Sequence, residues 1–289
     1  MKIIIAALFL ALFLSMPMRT RTGAGDMFIC RHYDPEGFHR AIEAARTYPA
    51  QGRILAATSP HFLPAMSFTA SLLKTAAEQD IVYDTVILIG PNHGGEGLPV
   101  IIGDKGWGTP FGIIEPDTMA AAVLANIRAL SGRSERNGEC LEEDHSLATV
   151  TSFIKYYLPD ARIVSVMLSR GVTTADVDSL AGALNELGKD KNILLIGSID
   201  FSHYLNIEET AQKDAETAEI ISVGDYRRME PLDSAHLDSP AAMALLMRCA
   251  ELAGTGPAEH WDGVIMPESG TAADIGYSYH TYAYTIEFQ

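Results

Sequence analysis

Residues 193–203 read Ile193-Leu194-Leu195-Ile196-Gly197-Ser198-Ile199-Asp200-Phe201-Ser202-His203, an apolar run closed by a glycine, with an acid and a histidine in the short stretch that follows. The same grammar occurs twice upstream. Ile54-Leu55-Ala56-Ala57-Thr58 runs into Ser59-Pro60-His61, and Val86-Ile87-Leu88-Ile89-Gly90 runs into Pro91-Asn92-His93. Short runs that are apolar at every position, rather than at alternate ones, suit strands covered on both faces.

Further runs of this kind occupy Pro99–Ile102 and Ile163–Leu168. Between the runs, apolar residues recur at helical spacing in Met66–Gln79, Asp117–Leu130, Leu147–Tyr157, Thr174–Leu187, Glu208–Val223 and Pro240–Ala253. Alternation of strand and helix predicts an α/β fold: a mainly parallel sheet flanked by helices. The final run, Tyr279–Phe288, alternates two sets of side chains and predicts a late antiparallel or edge strand.

In open α/β sheets, ligands sit beyond the carboxyl ends of the strands. Three predicted strands deliver His61, His93 and His203 to that rim, and one adds Asp200. Any one of these histidines reads as an ordinary surface or capping residue. Their recurrence at equivalent places points to a metal site or a general acid–base site. Proline before His61, and two residues before His93, keeps the backbone of those turns extended.

Glu142-Glu143-Asp144-His145-Ser146 precedes a predicted helix. Its acids serve a helix N-terminus, with Asp144 or Ser146 as the cap, and His145 is a candidate pocket residue. Glu268, in Pro267-Glu268-Ser269-Gly270, is either a turn carboxylate or a metal ligand. His32, His39, His236 and His260 read as ordinary loop or helix residues, and His280 could face core or solvent. Cys249, within an apolar helical pattern, reads as a core thiol.

The 289 residues are 47% hydrophobic and 20% charged, enough apolar surface for a sizeable core, which excludes disorder as the main state. Lys plus Arg number 21 against 37 Asp plus Glu, a net charge of −16, which argues against a nucleic-acid partner. Cys30, Cys140 and Cys249 are odd in number and far apart, so neither a disulfide framework nor a cysteine zinc site can be read from them. Lys2 followed by the apolar run Ile3–Leu14 has the length of a signal-peptide core and is short for a spanning helix. Residues 1–25 are therefore expected to be an export signal or an anchor, 26–52 an N-terminal arm, and 53–289 one α/β domain. With a working signal the chain is periplasmic or extracellular; without one it is cytoplasmic. Beyond an anchor of that kind, no spanning membrane domain is expected.

The pieces Ser59-Pro60-His61, Gly90-Pro91-Asn92-His93, Glu143-Asp144-His145-Ser146, Leu158-Pro159 and Ser198-Ile199-Asp200-Phe201-Ser202-His203, with Ser269-Gly270 near the end, resemble the Memo family. Its bacterial and archaeal members are called AmmeMemoRadiSam system protein B. They come in the family's order from Arg53 to Phe288. The resemblance implies a fold similar to the class III extradiol dioxygenases, with His61 and His93 binding a divalent metal. Fe(II) is the first candidate, copper and zinc the others, with Glu268 as third ligand in a two-histidine, one-carboxylate site. It also implies a radical-SAM system partner. The chain departs from the family pattern at Phe62-Leu63-Pro64, at Leu147 and Ala148, and at Leu237-Asp238-Ser239-Pro240, which stands where a Cys–Gly piece is common.

Two functions follow as expectations. One is a metal-dependent oxidoreductase in which His203 is the acid–base, Asp200 orients it and His145 lines the pocket, acting on an unidentified small molecule. The other is a metal-carrying or partner-binding protein of the same fold without turnover. A serine hydrolase built on Ser202 and His203 is the poorest reading, because no Gly-x-Ser-x-Gly elbow surrounds Ser202.

Overall fold

The computed structural model describes residues 27–267 and 275–287. The strands, in chain order, are β1 (Met27–Ile29), β2 (Arg53–Ser59), β3 (Thr85–Pro91), β4 (Val100–Gly103), β5 (Gly106–Thr109) and β6 (Gly112–Ile114). They continue as β7 (Ser134–Arg136), β8 (Arg162–Leu168), β9 (Ile193–Ser198), β10 (Leu205–Asn206), β11 (Glu259–Pro267) and β12 (Ile275–Ile286). The helices are α1 (Pro35–Ala44), α2 (Met66–Ala77), α3 (Thr118–Ala125), α4 (Cys140–Glu143), α5 (His145–Tyr157), α6 (Thr174–Leu187), α7 (Ile207–Val223) and α8 (Pro240–Ala253).

Four strands in the order β2-β9-β3-β8 form a parallel block at the centre of a large mixed sheet. Antiparallel strands extend it on both sides, β12 against β2 and β4 against β8. Successive residues of a central strand face opposite layers. Ile87, Ile89 and Leu195 accordingly join a core under α3, α6 and α8, while Val86, Leu88, Leu194 and Ile196 join a second core that includes residues of α1, α2 and α5. Such runs carry no polar phase because each face is covered by helices.

Thr174–Leu187 and Pro240–Ala253 form helices over the spans their periodicity predicts, and the five core runs form strands within a residue or so of theirs. Asp117–Leu130 is not one helix. It divides into α3 and a 3-10 turn at Arg128–Leu130, where Asn126 turns its side-chain amide onto the Ala122 carbonyl. The last strand is antiparallel, as expected, but interior: β12 pairs with β11 along one side and with β10 and then β2 along the other.

The described part of the 26–52 stretch is packed into the domain. Phe28, Phe38 and Tyr48 are buried in the second core, and β1 pairs with β5 in a small sheet, β1-β5-β6, that sequence patterning did not reveal. Trp107 of β5 is fully buried, and its indole N–H donates to Ser165 Oγ of β8 at 2.8 Å, tying the small sheet to the large one. The expected signal or anchor at 1–25 lies outside the described residues. Among the described residues no helix is long and apolar enough to cross a membrane. Cys30, Cys140 and Cys249 are free thiols, and Cys249 is buried in the core as its helical context predicted.

Candidate metal centre

His61 follows β2 after a single proline, His93 follows β3 after Asn92, and Asp200 and His203 lie on the loop that leaves β9. These strands are neighbours with parallel direction, so their carboxyl ends share one rim. The rings of His61 and His93 meet edge to face with centroids 5.4 Å apart, and His145 completes a trio at 5.1 Å from His61 and 4.8 Å from His93. Nitrogens of the three rings lie within 4.8 Å of one another, as do donor atoms of His61, Asp200 and Asp238.

Each of the two strand-end histidines is fixed on its Nδ1 side. The Ser198 hydroxyl donates to the Ser146 carbonyl at 2.5 Å, so the contact of 3.1 Å between Ser198 Oγ and His61 Nδ1 has the imidazole as donor. That seats the His61 proton on Nδ1 and leaves Nε2 facing the cavity floor. His93 presents Nδ1 to both oxygens of Asp144, at 3.0 and 3.1 Å, and its backbone N–H donates to Asp144 Oδ2 at 3.0 Å. A carboxylate behind a histidine in this way sets its tautomer and makes it a better metal ligand.

Asp238 lies across from both. Its Oδ2 is 3.1 Å from His61 Nε2 and 3.7 Å from His93 Nε2. The side chain is buried, yet neither oxygen accepts a hydrogen bond. The loop before α8 is held in place by the β9 exit: Asp238 N–H donates to the Asp200 carbonyl at 3.0 Å, and Leu237 bridges Phe201. A buried carboxylate without hydrogen-bond donors is costly, and a cation shared with the facing imidazoles satisfies it.

Electrostatics agree with that reading. Burial pushes Asp238 up, but the His61 and His93 imidazoles outweigh it and hold the carboxyl at about 2. Burial raises Asp200, and the neighbouring Asp238 charge adds to the rise although His61 opposes it. Burial lowers His93, yet the hydrogen bond to Asp144 and the negative charges of Asp144 and Asp238 carry it to about 10. His145 goes the other way, to about 4, through burial and the positive rings beside it. The carboxylates facing His61 and His93 thus favour positive charge at this place, as bound protons or as a cation that replaces them, while His145 stays neutral.

The expected site residues meet different fates. His61, His93, His145, Asp200 and His203 all line one cavity of about 970 Å³. The hydrogen bond of Asp200 runs from the His61 backbone N–H at 2.9 Å, with Oδ2 3.5 Å from His61 Nε2, so Asp200 positions His61 and not His203 as expected. His203 is half-buried, its Nδ1 has no hydrogen-bond partner, and its ring meets Tyr277 edge-on at 5.6 Å. Glu268 lies outside the described residues.

Two functional side chains escaped the sequence reading. Asp238 follows no strand, and its only signal was that it falls in the stretch Leu237–Pro240, which stands where the related pattern commonly has a Cys–Gly piece. Asp144 was read as a cap, which it is: its Oδ1 accepts the Ser146 N–H at 2.9 Å. The same carboxylate also holds His93.

A family model described as Memo-like protein matches residues 22–253. A MEMO1 family protein of Aeropyrum pernix is 32% identical over 182 residues, covering 60% of this chain and 63% of its own. One from Pyrobaculum arsenaticum is 33% identical over 136 residues, covering 45% and 46%. The chain thus spans about half to two thirds of the length of these curated relatives. Among solved structures, an uncharacterized protein of Escherichia coli K12, JW3007, superposes with a TM-score of 0.54 at 13% identity, covering 78% of this chain and 99% of that one, a likeness of fold alone. With the strand-end histidines in place and the match running over most of the domain, the chain belongs to the Memo-like protein family.

Proposed function

We propose that this protein is a metal-dependent redox enzyme in which His61, His93 and Asp238 hold a divalent cation, Fe(II) first among candidates. The observation that carries the reading is Asp238: a buried carboxylate that accepts no hydrogen bond while facing the Nε2 atoms of two histidines. Two neutral imidazoles and one carboxylate are a donor set suited to non-haem iron, and the resemblance to the dioxygenase fold supports the same choice. Such an ion, when bound, supplies one-electron chemistry and open positions for oxygen and substrate.

The chain's own residues supply the rest. Ser198 and Asp144 lock the two imidazoles with Nε2 inward, and Asp200 fixes the His61 backbone. His203 lines the cavity, and its imidazole is the group that would accept or return a substrate proton. Phe62 and Tyr279 stack with planes 4° apart at 5.2 Å and, with Tyr277, give the cavity an aromatic side that excludes water from one face of a bound molecule.

Metal analysis of tag-free protein against the His61→Ala/His93→Ala double variant tests the reading. The wild type should carry close to one equivalent and the variant almost none; equal contents would refute it. Oxygen uptake by anaerobically iron-loaded protein, screened against small aromatic substrates and abolished by His203→Ala, would establish turnover.

A second reading is a metal-carrying or partner-binding protein without turnover. Phe62 and Leu63, each 42% exposed, favour it, since they place apolar surface beside the cavity. We further propose a radical-SAM system partner, implied by the family resemblance, and export through the N-terminal segment. Co-purification and cell fractionation test them.

A further inference from the structure

On the outer strand pair, away from the strand ends, His260 of β11 and His280 of β12 bring two ring nitrogens together. His260 Nε2 and His280 Nδ1 are 3.1 Å apart. We propose that this pair is a second metal site, a two-histidine chelate for a divalent first-row transition ion of imidazole preference such as copper or zinc.

Three features of the pair support it. The first is the carboxylate behind it. His280 Nε2 lies 3.0 Å from Asp214 Oδ2, and the other oxygen of Asp214 accepts the hydroxyls of Ser202 and Ser278, each at 2.7 Å. An ionised carboxylate only accepts, so the neutral His280 carries its proton on Nε2 and turns a bare Nδ1 toward His260. This is the same backing that Asp144 gives His93, and it makes Nδ1 a better ligand.

The second is room. Gly263 on β11 stands opposite His280, and a Cβ there would fall 2.3 Å from His280 Nδ1 and 2.9 Å from His260 Nε2. Glycine is thus required at the one point where both nitrogens converge. The imidazole of His280 therefore lies against the β11 backbone, and the pair meets solvent through His260, an exposed residue.

The third is geometry. With metal–nitrogen bonds of about 2.0–2.1 Å, two nitrogens at the observed separation subtend roughly 95–100° at the ion, between the square and tetrahedral values. The rings are already held. His280 meets Phe201 edge-on at 4.9 Å, and His260 packs on Tyr282 at 4.7 Å. The remaining coordination positions fall to water, so binding is of moderate strength and open to exchange.

Cu(II) titration of the full chain provides the test, carried out in the His61→Ala/His93→Ala background so that the strand-end site does not compete. This background should retain one equivalent of Cu(II) with a two-nitrogen hyperfine pattern by electron paramagnetic resonance. Adding His260→Ala, at an exposed position, should weaken that equivalent at least tenfold and reduce the pattern to one nitrogen, with the circular dichroism spectrum unchanged. Gly263→Ala, if it folds, should do the same with both histidines present. Unchanged copper affinity on loss of His260, or a signal without two nitrogens, would overturn the site and identify the contact as a simple imidazole–imidazole hydrogen bond.

Discussion

Asp144 grips His93 at two points, accepting both its ring Nδ1–H and its backbone N–H, while capping the helix whose first residue is His145. One carboxylate therefore couples the start of α5 to the orientation of a cavity-facing imidazole. Asp144→Asn keeps a competent cap, since Asn and Asp rank alike at that position, but loses the anionic partner of Nδ1. Metal affinity should fall about 10–100-fold with little change in melting temperature. A competitive chelator titration beside a thermal melt checks it; a large stability loss with unaltered affinity would contradict the assigned role.

Asp238→Ala should cost more metal affinity than Asp144→Asn, because a direct ligand is lost rather than its support. Asp238→Cys should restore binding with a changed preference, toward the softer zinc or copper(I) and away from Fe(II). Metal content after growth in defined media separates the outcomes. Should Asp238→Ala bind iron like wild type, the third ligand lies elsewhere.

The buried bond from Trp107 to Ser165 predicts a purely structural effect. Trp107→Phe leaves the Ser165 hydroxyl without its donor and opens space between the two sheets, so unfolding free energy should drop by roughly 1–3 kcal/mol. Urea denaturation measures this, and metal binding to the remaining folded protein should be unaffected.

Acid lability should trace in part to Asp117, the N-cap of α3. Burial alone would raise its carboxyl, but the Ala120 N–H, the Lys191 ammonium and the Thr85 hydroxyl outweigh it and lower it. A carboxyl lowered on folding contributes stability that is fully present above its unfolded value near ~3.9 and is lost as pH falls through the folded one. Asp117→Asn should therefore have a lower urea midpoint than wild type at pH 7, and the gap should shrink as pH falls below the unfolded carboxylate value and through the lowered folded one. A gap independent of pH would show that the carboxylate charge is not the cause.

Much of this centre could be read from residue order, and the reason is topological. His61, His93, Asp200 and His203 each follow a run that must be a buried strand, and parallel neighbours send their exits to one rim. Asp238 escaped because its place depends on the loop before α8 folding back onto Asp200, a contact no local pattern encodes. His260 and His280 were unremarkable in sequence because cross-strand register, with Gly263 opposite His280, is what joins them. β11 itself went unseen: its burial is intermediate along most of its length, so it lacks both the continuous and the alternating signature. The packing of Phe28, Phe38 and Tyr48 was hidden for a related reason, since isolated aromatics do not announce which face of a distant sheet they will cover.

The interior position of β12 also bears on how the protein reaches its native state. Ala57 of β2 pairs with Ala283, and the two are separated by nearly the whole domain. During synthesis the open edge of β2 has no native partner on that side until β12 has emerged, although β9 can pair with the other. Closing that edge is a contact of very high sequence separation, which slows folding and leaves an unpaired strand exposed in the meantime. Nascent or truncated chains lacking β12 should therefore be the species most prone to associate through β2, which makes completion of the sheet a late and vulnerable step for a protein whose His61 lies two residues beyond that same strand.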